Sequence, residues 1–174
     1  ISACLVGSEM CIRDSYTDLV REDILDFSRV QEIRTIRLLL EMLRERVGSP
    51  LSYRSLAVDL QLSPNTVRKY IEILESLYII FLIRPFHRNI ARALLKEPKV
   101  YFYDSGFVKG DEGVRLENTI AVCLLKHCGY LHDVNGENWS LQYLRTKEGK
   151  EVDFAVCKDD RTVSYTHLRA HETG

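Results

Sequence analysis

Residues 62–86, LSPNTVRKYIEILESLYIIFLIRPF, change period halfway along, and that change decides the fold class. The first half places Val67, Tyr70, Ile71 and Leu74 at the three- and four-residue spacing of one helical face. Ser63 stands where an N-cap oxygen can accept from an orphan N–H, and Pro64 takes the first helical position, where its missing N–H is harmless. Asn65, Arg68, Lys69 and Glu72 are left on the outer face. From Leu77 onward the residues turn β-branched and aromatic, which predicts a strand. A helix feeding a strand directly predicts an α+β chain.

Toward the N-terminus, SYRSLAVDLQL predicts a second helix, capped by Ser52 and burying Leu56, Ala57 and Leu60. Only QLS separates it from the next helix, which forces the sharp angle of a helix-turn-helix. Further upstream, Ser28 and Gln31 form a capping box, Val30, Ile33, Ile36, Leu40 and Leu43 continue at helical spacing, and Gly48 stops the run. YTDLVREDILDF reads as a short amphipathic helix with Leu19, Ile24 and Phe27 on its packing side. Downstream, KVYFYDSG predicts a second strand, reached through a basic connection carrying Arg84, His87, Arg88, Arg92, Lys96 and Lys99 against Glu97. Three helices followed by a β-hairpin describe a winged helix over residues 16–106. Asp104-Ser105-Gly106 reads as a turn that ends the strand and caps the next element.

The second half begins with GVRLENTIAVCLLKHCGYL, a helix whose apolar positions are Leu116, Ile120, Ala121, Leu124 and Leu125. Glu117 falls in its first turn, where an acid complements the helix dipole. WSLQYLRT and EVDFAV then form a hairpin around KEGK, with Val152, Phe154 and Val156 on one side. Asp153, Glu151 and Ala155 face the other, while Trp139, Tyr143 and Phe154 read as core. An acid on a helix and an acid on a hairpin strand begin a metal-dependent nuclease site, since hard cations take oxygen ligands. Glu117 and Asp153 are therefore the candidate catalytic and metal-ligating residues.

Composition narrows the classes. The chain has 174 residues, 45% hydrophobic and 28% charged, with a net charge of −1, so a nucleic-acid surface must be a local patch. The longest apolar run, residues 77–83, is far too short to span a bilayer, and no signal-peptide pattern opens the chain. A cytoplasmic location is expected, with no membrane and no small-molecule substrate in view. Cys4, Cys11, Cys123, Cys128 and Cys157 have no metal-ligand spacing and read as reduced, mostly buried thiols. Cys123, His127 and Cys128 do not share one helix face, and His167 and His171 lack a third ligand. Gly149-Lys150 is followed by Glu151, so no phosphate-binding P-loop exists here. No nucleophilic triad is placed either.

The order YTDLVREDI, LAVDLQLSPNTVRKYIEILESLYIIFLIRPFHRN, KVYFYDSG, LENTIAVCLLK and LRTKEGKEVDFAV resembles the C-terminal domain of unknown function of a prokaryotic AAA-type ATPase family. That resemblance covers residues 16–156 and implies a winged helix followed by a restriction-endonuclease-like fold. It aligns Glu117 with the family's helix acid and Asp153 with its strand acid. In the family pattern a further strand bears an acid, one residue, then a lysine, and no such spacing follows Asp153. Mg²⁺ is implied for a complete relative, and ATP for an N-terminal module that this sequence lacks. Residues 1–15 and 163–174 resemble peptides translated from sequencing-adapter DNA. The expected organisation is a leader over 1–15, a winged helix over 16–106, a truncated nuclease-like unit over 107–162 and a tail over 163–174.

Two uses of the helix-turn-helix stay open. In one, Asn65, Arg68 and Lys69 meet bases or phosphates while Arg84, Arg88 and Arg92 neutralise the backbone. In the other, Glu72 and Glu75 repel phosphate, and the unit docks on the ATPase module or another protein. The expectation is a docking module, non-catalytic as it stands, with a DNA-binding module coupled to an incomplete nuclease as the alternative.

Overall fold

The computed structural model describes residues 30–86, 97–145, 151–159 and 161–166. The expected helix over 16–27, the Ser28 capping box, Arg88, Arg92, the KEGK turn and the His167/His171 pair lie outside them. The chain divides into two compact units, Ile1–Glu41 and Met42–Gly174. Among the described residues, four α-helices and a five-stranded mixed sheet make a mixed α+β fold.

Helix α1, Val30–Arg44, buries Ile36, Leu39, Leu40 and Leu43. It ends at Arg44, earlier than a stop at Gly48 requires; Gly48 (φ 76°) serves a different purpose, given below. Helix α2, Tyr53–Leu60, buries Leu56 and Ala57. Ser52 is its N-cap by position, yet its side chain makes no capping hydrogen bond. Gln61, in the left-handed region, turns the chain sharply into α3, Pro64–Ser76. There the expected start holds, since Ser63 Oγ accepts from Thr66 N–H at 3.1 Å. Val67, Tyr70, Ile71 and Leu74 are the buried stripe, as their spacing requires.

Strand β1, Ile80–Pro85, runs antiparallel to β2, Lys99–Phe102, pairing Ile80 with Phe102 and Ile83 with Lys99. β1 also pairs in parallel with β3, Trp139–Arg145, through Arg84↔Gln142 and Pro85↔Tyr143. β3 is antiparallel to β4, Glu151–Lys158, giving the order β2-β1-β3-β4-β5. The hairpin is thus a structural part of one sheet that draws strands from both sides of residue 106.

A fifth strand crosses residue 162, after which the tail was expected to begin. β5, Arg161–Thr166, is antiparallel to β4 and forms the outer edge. The turn into it is made by Asp159 at φ 45°, a conformation that Asp tolerates better than most residues. β5 reads RTVSYT, so the strand beside Asp153's own strand carries neither the acid nor the lysine of the nuclease-like pattern.

A short 3₁₀ turn, Ser105–Phe107, follows β2, and Asp104 accepts from Gly106 N–H at 2.8 Å, as a capping turn should. Helix α4, Glu112–Asn135, starts on the Asp111 cap and ends at Gly136 in the left-handed region. Its inner face packs on β2, β3 and β4. That face is Asn118, Ala121 and Cys128, whereas Leu116 points outward, 58% exposed. Hydrophobicity alone misassigns Leu116, because a buried asparagine takes the inward position two residues later.

β2 is the other edge strand, and its outer edge is covered by a side chain and a loop. Asn118 accepts from Phe102 N–H at 2.8 Å and donates to Phe102 O at 2.9 Å, imitating a neighbouring strand. Gly48 N–H donates to Val100 O and Leu51 N–H to Pro98 O. Covering an edge in this way removes a template for unwanted strand pairing.

A buried lysine and its carboxylates

The fold assembles one charged cluster from four elements. Lys99 and Tyr101 are two apart on β2, and Glu151 and Asp153 two apart on β4, so each pair shares a sheet face. Helix α4 brings Glu117 over the same region. Lys99 is 2% exposed, and its Nζ lies 2.5 Å from Glu151 Oε1 and 3.2 Å from Asp153 Oδ1. The ammonium also stands over the Tyr143 ring, 5.4 Å from its centroid. Tyr101 Oη donates to Glu117 Oε1 at 2.8 Å, with its ring stacked on Phe81 and tilted against Phe154.

Glu117 and Asp153 therefore do meet in one electrostatic neighbourhood, as the sequence pattern anticipated. Glu117 is not a dipole partner far from other groups: it lies in the second turn of α4 and is held by Tyr101. Burial raises its pKa above 4.5; the Tyr101 hydroxyl and Lys99 pull it down, while Asp153 and Glu151 push it up. The Tyr101 phenol is held well above its usual range by burial first and by Glu117 second.

Gly48 completes the wall. A Cβ there would lie 2.5 Å from Glu117 Oε1, and φ of 76° disfavours any side chain. Gly48 lets the backbone pass against the carboxylate.

Lys99 is the largest departure from the sequence expectation, which counted it among the basic residues leading into the second strand. It is an interior cation instead. KVYF alternation would have put Lys99 and Tyr101 on one face, but nothing local ties them to residues some fifty positions on. Gly48 and Asn118 carried no separate signal.

A nuclease-like centre would add Mg²⁺ between Glu117 and Asp153, and the donors present do not fit that ion. Asp153 is engaged by a buried ammonium, and Glu117 accepts from a phenol. Among the described residues, no group of three His, Cys, Asp or Glu side chains is arranged to hold a metal.

The second candidate surface lies on α3 and β1. Asn65, Arg68, Lys69 and Arg84 are all exposed. Arg68 stacks over Tyr53, its guanidinium carbon 5.2 Å from the ring centroid. Acids accompany these cations. The Tyr53 phenol, raised by burial, also feels Arg84, Glu75, Arg68 and Glu72. Glu75 is raised by burial, against the pull of Arg84 and with the push of Glu72. The patch is mixed in sign.

Of the cysteines, Cys128 and Cys157 are buried as expected, Cys123 is exposed, and Cys4 and Cys11 lie outside the described residues. Burial makes Cys128 a weaker acid, reinforced by Cys157 nearby. Tyr143 and Phe154 are buried, and Trp139 is half-buried under Lys158. No described helix is long and apolar enough to cross a membrane.

Residues 7–112 match the family model of a domain of unknown function, DUF8612. No curated protein and no solved structure matches the chain.

Proposed function

The chain belongs to the DUF8612 family, a domain of unknown function, and we propose that it is a non-catalytic docking module. In this reading it is the C-terminal region of a prokaryotic AAA-type ATPase, a winged helix joined to a restriction-endonuclease-like unit, and it binds the ATPase module or another protein. The observation that carries the reading is the engagement of Lys99 with Glu151 and Asp153. A cluster whose carboxylates are already engaged by an interior ammonium and a phenol supports the fold, which leaves the surface for function. Tyr53, Arg68 and Arg84, interleaved with Glu72 and Glu75, suit a protein interface, where Tyr and Arg are enriched. A phosphate backbone would be repelled by the two acids.

The alternative, a DNA-binding winged helix coupled to an incomplete nuclease, is favoured by one observation. Asn65, Arg68 and Lys69 all stand exposed on one helix. A gel shift of duplex DNA with wild type and with Arg68→Glu/Lys69→Glu separates the two. Docking predicts the same weak, non-specific shift for both proteins. A salt-sensitive shift abolished by the double substitution would replace docking with the DNA reading. In parallel, Arg68→Glu/Arg84→Glu should release a co-expressed ATPase module on affinity capture.

A further inference from the structure

The outward face of α4 carries an exposed apolar strip, interrupted by His127, where a helix lying on a sheet is ordinarily polar. Leu116, Cys123 and Tyr130 follow one another at seven-residue intervals, with Val134 one turn later, so all four share one face. Leu116, Tyr130 and Val134 are 58%, 61% and 60% exposed, and Cys123 is exposed as well. We propose that this face takes a second copy of the chain, with the two α4 helices packed antiparallel about a two-fold axis near Leu124.

Charge complementarity selects that occupant. Arg115 and Asp133 lie about five full turns apart, so they flank the apolar strip on the same side, at the two ends of a flank that also carries the exposed Lys126. Both are exposed, and neither forms an ion pair with a described residue. In an antiparallel pair centred at Leu124, Arg115 faces Asp133 of the partner subunit, and symmetry repeats the contact at the other end. In a parallel two-fold pair the charged flanks of the two copies fall on opposite sides of the seam, so the Arg115–Asp133 match is made only in the antiparallel arrangement. The antiparallel arrangement also places Leu116 between Tyr130 and Val134 of the partner subunit. The two Cys123 thiols fall beside the axis. An isologous interface of this kind is the commonest form of self-association. It does not depend on the docking function proposed above, since it uses neither α3 nor the Lys99 cluster.

The test is sedimentation velocity on the full chain over a concentration series, with copper-phenanthroline oxidation as a second readout. Wild type should form a dimer that oxidation captures through Cys123. Cys123→Ser should dimerise equally and lose the cross-link. Arg115→Asp should weaken the dimer by at least about tenfold, and Arg115→Asp/Asp133→Arg should restore it. Both charged positions are exposed, so circular dichroism should report unchanged folding. A monomer at every concentration would overturn the proposal. So would a dimer indifferent to Arg115→Asp, or a charge swap that restores nothing.

Discussion

Lys99 shows how far one side chain can depart from its sequence neighbourhood. It ends a run of basic residues, yet it is buried between two carboxylates that no local pattern links to it. Removing one partner of a buried charge pair typically costs about 3–5 kcal/mol, because the remaining charges lose compensation. Lys99→Met should therefore lower the unfolding free energy by that order in urea titration. Replacing the whole set in Lys99→Met/Glu151→Gln/Asp153→Asn should recover much of the loss. Glu117 makes a pH prediction. Its pKa is raised in the folded protein, so the folded state holds that proton more tightly than the unfolded state does. The stability it contributes is complete below about pH 4.5 and is lost as pH rises through the folded value. Glu117→Gln should therefore match wild type in acid and become the more stable protein toward neutral pH, as read by urea unfolding across that range. At Gly48, an alanine would adopt φ of 76° and press on the Glu117 carboxylate. The backbone alone should cost about 1–2 kcal/mol, measurable as a lower melting temperature.

At the scale of elements, legibility followed how local the determinants are. Helix α3 could be read whole, because Ser63, Pro64 and the Val67–Tyr70–Ile71–Leu74 stripe all lie within it. Strands β1 to β4 announced themselves by composition. Helix α4 was found, but its inner face was not, because its inward contact at Asn118 is polar and answers to the edge of β2. Asn118→Ala would leave Phe102 N–H and C=O unpaired, and a buried group so stranded costs about 1–3 kcal/mol. Hydrogen exchange should report faster exchange at the Phe102 amide in that variant. β5 was missed because residues 163–174 read as a foreign tail, although Val163 and Tyr165 alternate with Thr162, Ser164 and Thr166. Its place in the sheet comes from pairing with β4.

For the whole molecule, the α+β class was legible and the sheet's connectivity was not. The parallel register of β1 on β3 joins residues more than fifty positions apart, and no helix or turn signal encodes it. The convergence of Glu117 and Asp153 was anticipated from motif order, but the cation between the carboxylates was not. The structural reading of the cluster proposed above rests on that cation. Mg²⁺ binding tests this most directly, through thermal unfolding of wild-type protein with and without millimolar Mg²⁺. An unchanged midpoint is expected, because Asp153 and Glu151 already hold Lys99 and Glu117 already holds Tyr101. A ligand at a hundred times its Kd stabilises by about 2.7 kcal/mol, so a midpoint raised by several degrees would contradict carboxylates already committed to the chain's own donors.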